Sequence, residues 1–151
     1  MLAKTHAAFG IFSGLIIQNF VATGNKTIFF LLVLLGALLP DIDSADSTIS
    51  TSIPIIPSLL RIFVKHRGIF HSLLFAFFLP GLLYVFISPV YGTALFIGYI
   101  SHIAIDSITS EGINFLHPFA KLRLSGFIDT GGVGELVIFF LLLAGIVINF
   151  I

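Results

Sequence analysis

Long apolar segments separated by short polar gaps are the feature that most restricts the fold of this chain. Apolar residues make up 58% of the 151 residues and charged residues only 9%, whereas about 25% of residues are charged in a typical soluble domain. The sequence therefore predicts an all-α integral membrane protein, a compact bundle of about five transmembrane helices forming one domain over residues 1–151. The predicted segments are Ala7–Thr23, Thr27–Leu39, Ile69–Val90, Tyr91–Ile108 and Val133–Ile151.

Three parts of the chain depart from a simple pattern of spanning helices. Thr27–Leu39 is the short member of the set, because a spanning helix needs at least about 17 residues. Residues 40–65 are rich in Ser and Thr and contain prolines that limit helix formation, which favours a loop lying on the membrane surface. Gln18 and Asn19 interrupt the first segment, so we expect a retained first helix and not a cleaved signal peptide.

The distribution of charge predicts both orientation and partners. With five spans, six basic residues fall on one side of the membrane and Lys26 falls alone on the other, which places the N-terminus in the cytoplasm and the C-terminus outside the inner membrane. Seven basic and seven acidic residues give zero net charge, so we expect membrane lipids and not nucleic acid as partners. The six basic residues are Lys4, Arg61, Lys65, Arg67, Lys121 and Arg123.

Several polar motifs fall on the predicted cytoplasmic side. LLPDIDS places Asp41 and Asp43 just after the second helix, either as a cation site or as a solvated helix end that opposes the helix dipole. HRGIFHS places His66 and His71 on either side of Arg67, and this arginine is either a clamp for a phosphate or an anchor at the membrane surface.

The stretch SHIAIDSIT lies near the end of an apolar helix. His102 and Asp106 are four residues apart, which places both side chains on one helix face. The pair is either half of a metal site or an imidazole–carboxylate hydrogen bond that stabilises packing. His6 alone would be an ordinary interfacial histidine. Because all these residues are expected at one depth, the sequence predicts a shared site at the cytoplasmic helix ends.

The composition of this set indicates which metal it suits. The chain has no cysteine, so only nitrogen and oxygen ligands are available. Seven candidates exceed the ligands of one zinc ion with an open position and suit two ions bridged by an aspartate and water. We predict one or two divalent metals, zinc first, with manganese or magnesium as alternatives. The candidates are His6, Asp41, Asp43, His66, His71, His102 and Asp106.

The motifs also resemble a known family. The order H…LLPDID…HRG-x-x-HSLL…GY-x-SH-x-x-x-D-x-x-T-x-x-G…PF is similar to the YdjM-like inner-membrane proteins, a family of LexA-regulated, membrane-bound, metal-dependent hydrolases. The resemblance runs from His6 to about Arg123 and implies the same seven metal positions, with Glu135 as a further acid typical of the family. His117 departs from the pattern. The resemblance implies a reaction class and no substrate.

The function that these features predict is a metal-dependent hydrolase that acts through a metal-activated water on a lipid or isoprenoid phosphate ester at the cytoplasmic membrane face. Asp43 is the expected metal bridge or water-orienting group, and Arg67 would stabilise negative charge that develops during the reaction. The alternatives are a divalent-cation transporter and a non-catalytic membrane protein with a structural metal. The sequence assigns no role to Glu111, His117, Asp129 or Glu135.

Overall fold

The computed structural model describes residues 1–43 and 69–149 of the chain. Within these ranges there are five α-helices, two 3₁₀ helices and one two-stranded antiparallel sheet. The helices are α1 (Ala3–Ile17), α2 (Lys26–Leu38), α3 (Leu73–Phe86), α4 (Pro89–Ser107) and α5 (Val133–Ile148). The 3₁₀ helices are Leu39–Asp43 and Ile69–His71, and the strands are β1 (Ile113–Asn114) and β2 (Arg123–Leu124).

The helix boundaries follow from local sequence signals. Asn25 caps α2, since its side-chain oxygen accepts a hydrogen bond from the Ile28 amide at 3.2 Å. Ser72 caps α3, and Pro89 occupies the first turn of α4, where a missing N–H group is tolerated. The predicted boundary between the third and fourth segments, after Val90, is therefore shifted. Helix α3 ends at Phe86, and α4 begins at Pro89 after the N-cap residue Ser88.

The prediction of transmembrane helices is wrong. Four of the helices contain 13 to 16 residues, whereas a span needs about 20. Helix α4 contains 19 residues but includes His102 and Asp106. Among the described residues, no helix is both long enough and apolar enough to cross a membrane. The predicted placement of the two termini on opposite sides depended on such spans and is not supported. Most of the surface loop predicted at residues 40–65 lies outside the described residues.

Helix α4 is the centre of the bundle. It packs against α1, α2 and α3, while α5 packs against α1. Each of the three buried apolar clusters includes at least one residue of α4: Ile105 beside α1 and α5, Ile97 beside α2, and Tyr99 beside α3. A side chain on the inner face of α4 is therefore surrounded by the other elements, and this is where the polar cluster lies.

Two glycines bring the backbones of α2 and α4 together. A Cβ atom at Gly98 would overlap the carbonyl oxygen of Val33, and one at Gly36 would overlap the carbonyl oxygen of Leu95. Because neither residue has a Cβ atom, the two helices approach closely enough for a side chain of α4 to reach the backbone of α2. His102 makes such a contact.

Candidate metal centre

The last turns of α4 carry two of the polar side chains. His102 has no exposed surface and Asp106 is 2% exposed, as expected for two residues on the inner face of the central helix. The helix ends beneath them, where the Thr109 hydroxyl donates to the Asp106 carbonyl oxygen at 2.8 Å and accepts from the Gly112 amide at 3.1 Å. This capped end holds Asp106 at a fixed height in the bundle.

A hydrogen bond to α2 determines the protonation of His102. Its Nδ1 atom lies 2.7 Å from the carbonyl oxygen of Ala37. Since a carbonyl oxygen can only accept, Nδ1 carries the proton and the Nε2 atom of the neutral ring has a free lone pair. Burial, together with the neighbouring His6, lowers the pKa of His102 to about 3, so the ring is neutral at pH 7.

The two 3₁₀ helices bring in a second pair of side chains. Asp41 lies on the first and His71 on the second, and His71 Nε2 is 3.4 Å from Asp41 Oδ1. The second 3₁₀ helix is held against α4 by Tyr99, whose hydroxyl donates to the Phe70 carbonyl oxygen at 2.5 Å. His71 has no exposed surface, so its ring is enclosed on the same face of α4 as His102.

Helix α1 contributes the fifth side chain. The ring of His6 stacks on that of His102 with centroids 3.8 Å apart, and His6 Nε2 lies 3.3 Å from Asp106 Oδ1 and 3.8 Å from Asp41 Oδ2. The Met1 ammonium group also donates to Asp106 Oδ1, at 2.6 Å. Each carboxylate therefore has one oxygen directed toward His6 and the other toward His102.

The spacing of the donor atoms fits a bound metal. In a tetrahedral site with bonds of about 2.1 Å, donors lie about 3.4 Å apart. His102 Nε2 is 3.7 Å from Asp41 Oδ1 and 3.6 Å from Asp106 Oδ2, and donor atoms of Asp41, His71, His102 and Asp106 all lie within 4.8 Å of one another. These four residues could hold one metal ion, and His6 lies beside the remaining oxygens of the two carboxylates.

The hydrogen-bond inventory supports the same assignment. Both ring nitrogens of His6 and of His71, and Nε2 of His102, are buried without a hydrogen bond of acceptable geometry among the described residues. Buried polar atoms are normally paired, because each one left without a partner destabilises the fold by about 1–3 kcal/mol. A lone pair on His102 that faces two carboxylates is unfavourable unless a cation lies between them. The donor set therefore fits the divalent metal predicted from the sequence.

The carboxylates are held in their charged form. Burial alone would raise the pKa of Asp41, but its contact with His71 and its electrostatic interactions with the imidazoles of His102 and His6 bring it down to about 2. Burial likewise opposes ionisation of Asp106, yet its contact with His6, its electrostatic interaction with the His102 imidazole and the Met1 ammonium hold its pKa well below the ordinary value. Both side chains are thus acceptor-only oxygens at neutral pH, which is the form that binds metal.

Five of the seven predicted ligands meet in this centre: His6, Asp41, His71, His102 and Asp106. The first 3₁₀ helix includes Asp43, but the side chain of Asp43 is not among those described. His66 and Arg67 lie outside the described residues. The ligand roles of Asp43 and His66, and the catalytic roles of Asp43 and Arg67, therefore stay predictions. Glu111, His117 and Asp129 belong to the segment between α4 and α5 and are not members of the group.

Sequence reasoning missed two supports of the centre. The carbonyl oxygen of Ala37 carries no side-chain signal, so its bond to His102 could not be predicted. Glu135 did carry a signal, as the acid in the first turn of the last helix. It is 1% exposed and accepts hydrogen bonds from the Leu2 amide at 2.7 Å and the Thr5 hydroxyl at 2.6 Å.

Comparison with known proteins finds relatives that align with this chain over about two thirds of their own length. The uncharacterized protein YvsG of Bacillus subtilis is 35% identical over 107 residues, which cover 66% of this chain and 64% of that protein. The inner membrane protein YdjM of Escherichia coli is 30% identical over 129 residues, which cover 78% of this chain and 66% of that protein. The chain thus spans slightly less than two thirds of either relative. No solved structure matches the chain significantly.

The family-level match covers nearly the whole chain. The family described as YdjM inner membrane protein matches residues 1–150, a range that contains all five side chains of the centre. This match confirms the resemblance drawn from the order of the motifs. The chain belongs to the YdjM inner membrane protein family.

Proposed function

We propose that this protein is a metal-dependent hydrolase that works at the inner membrane on a phosphate ester of a lipid or isoprenoid. The observation that carries the proposal is the meeting of His102 Nε2, as a neutral lone pair, with oxygens of Asp41 and Asp106 at 3.6–3.7 Å. Such a group is unfavourable without a cation and is well suited to one. Membership in a family named for an inner membrane protein supports the location.

The chain's own residues account for how the cation would be held. Asp41, His71, His102 and Asp106 supply the donors for one ion, and His6 with the second oxygen of each carboxylate supplies those for another. A bound divalent ion polarises a phosphoryl oxygen and lowers the pKa of water. The bond from His102 to the Ala37 carbonyl orients its ring and increases its basicity, as partners of metal-binding histidines do.

The lipid part of the proposal is supported by an apolar groove between α2 and α3. Its volume is about 480 Å³ and every side chain lining it is apolar, including Leu32, Leu35 and Leu39 on one side and Leu82 on the other. Leu39 belongs to the same 3₁₀ helix as Asp41. A hydrocarbon chain whose head-group end lies at Leu39 would place that head group near Asp41.

Exposed apolar surface supports the membrane location as well. On α3 the Phe77 side chain is 62% exposed, and on α5 Leu141 is 67% exposed. Many other large apolar side chains of these two helices are also exposed, and an exposed apolar surface of this kind favours contact with lipid. Lipids are thus proposed as contact partners of these two helices as well as the source of the substrate.

Metal content and turnover test the proposal together. The protein purified in a mild detergent should contain stoichiometric zinc or manganese, and the His102→Ala, Asp106→Ala double variant should lose it. Hydrolysis of phospholipids and polyprenyl phosphates should stop on addition of a chelator and return with metal. Metal that is retained in the double variant would contradict the assignment of the centre.

The alternative functions give different results in the same experiments. A transporter would take up zinc into proteoliposomes without hydrolysing any ester. A protein with a structural metal would hold the ion, hydrolyse nothing and unfold when the ion is removed. Turnover of a lipid phosphate that depends on added metal distinguishes the hydrolase from both.

A further inference from the structure

Glu135 joins two helix starts that contain no capping side chain of their own. One carboxylate oxygen, Oε2, accepts from the Gly131 amide at 2.7 Å just before α5, and the other, Oε1, accepts from the Leu2 amide at 2.7 Å and the Thr5 hydroxyl at 2.6 Å. Leu2 precedes α1 and makes no side-chain cap. A buried carboxylate at two helix N-termini is favoured by both dipoles and ties α1 to α5.

The same residues lead directly to the metal centre. The Leu2 carbonyl oxygen accepts hydrogen bonds from the Thr5 amide at 2.9 Å and from the His6 amide at 3.3 Å. The Leu2 amide is held by Glu135, so Leu2 is fixed at both its N–H and its carbonyl group at the start of α1. His6 is the next residue after Thr5, and its ring must remain stacked on His102 to face Asp106.

We propose that Glu135 is a positioning residue, which fixes the first turn of α1 so that the His6 ring faces the metal centre. The inference rests on the metal centre of the proposed function and adds a residue that does not itself touch the donor atoms. It differs from a general structural role in one respect. The influence of Glu135 on metal binding is expected to depend on the presence of His6.

A double-mutant cycle measures that dependence. We expect Glu135→Gln to raise the zinc Kd by about 10–100-fold, the usual effect of losing a residue that orients a ligand. In a His6→Ala background, the same substitution should change the Kd by less than about threefold. Titration of cobalt, followed by its visible absorption, should show the Glu135→Gln spectrum shifted toward that of His6→Ala.

Two further variants keep the test decisive if Glu135→Gln folds poorly. Thr5→Val removes one of the three hydrogen bonds to the carboxylate and should weaken zinc binding in the same direction by a smaller factor. Asp129→Asn changes a nearby exposed carboxylate whose partner is the Ser110 hydroxyl at 2.7 Å, and it should leave the Kd unchanged.

The possible failures are distinguishable. If the wild-type protein binds neither zinc nor cobalt, the metal centre is wrong and this inference fails with it. If the wild-type protein binds metal and Glu135→Gln weakens binding equally with and without His6, Glu135 acts through the fold generally or through the contact of Met1 with Asp106, and this inference alone is overturned. Unchanged binding in both Glu135→Gln and Thr5→Val overturns it in the same way.

Discussion

The metal centre should stabilise the fold only when an ion is bound, and His71→Phe tests this directly. His71 is fully buried, and neither of its ring nitrogens makes a good hydrogen bond among the described residues. Phenylalanine fills nearly the same space without polar atoms. Each unpaired buried polar group that is removed restores about 1–3 kcal/mol, while Asp41 loses the imidazole at 3.4 Å. Because these effects oppose each other, the free energy of unfolding without metal should change by no more than about 1 kcal/mol.

With zinc present, the wild-type protein should gain much more stability than His71→Phe. At a zinc concentration about 100-fold above the Kd, binding stabilises the wild-type protein by about 2.7 kcal/mol, which raises Tm by about 5–11 °C for a chain of this size. If loss of one ligand raises the Kd by about 100-fold, the same zinc concentration stabilises the variant by only about 0.4 kcal/mol. The expected shift for the variant is then about 1–2 °C.

Thermal unfolding in mild detergent, first with a chelator and then with zinc, measures both quantities. His117→Phe is the matched control, because His117 lies in the segment between α4 and α5 and is not a member of the metal group. The His117→Phe variant should show the same increase in Tm with zinc as the wild-type protein. A His71→Phe protein that is strongly destabilised without metal, yet still gains the wild-type increment with zinc, would refute the reasoning.

Three further predictions concern packing, pH and substrate. Gly98→Val should destabilise the protein by about 1–3 kcal/mol or more in chemical unfolding, since its side chain would overlap the Val33 carbonyl oxygen, whereas Gly81→Ala meets no atom within 4 Å and should be neutral or slightly stabilising. Burial opposes ionisation of Glu135, but hydrogen bonds from the Gly131 amide, Thr5 and Leu2 lower its pKa below 4.5. The unfolded state therefore takes up the proton first, so this stabilisation is present above pH 4.5 and is lost as the pH falls through the folded pKa. Unfolding at pH 6 and pH 4 should show a smaller difference for Glu135→Gln than for the wild type, and an equal difference would contradict the assignment. Leu82→Asp, in the apolar groove, should lower kcat/KM for long-chain phosphate esters and leave that for a short-chain ester unchanged, and equal losses for both would argue against the groove.

The length of each helix was beyond what hydropathy could predict. The predicted segment Ala7–Thr23 has 17 mostly apolar residues, yet α1 runs from Ala3 to Ile17 because the helix ends at Gln18. Hydropathy averages over side chains and takes no account of where backbone hydrogen bonding stops. The fourth segment was likewise expected to span although it contains His102 and Asp106, and the described residues form no such span.

The sequence by itself determined the elements of the site that depend on local geometry. The four-residue spacing of His102 and Asp106 places both on one face of any α-helix, and the absence of cysteine leaves only nitrogen and oxygen donors. Only the tertiary structure decided that His6 stacks on His102, that Ala37 orients the ring and that Glu135 holds the start of α1. These contacts join residues 65 to 133 positions apart in the chain. They depend on how closely the helices approach, which the glycines between α2 and α4 allow but no periodicity in a single sequence specifies.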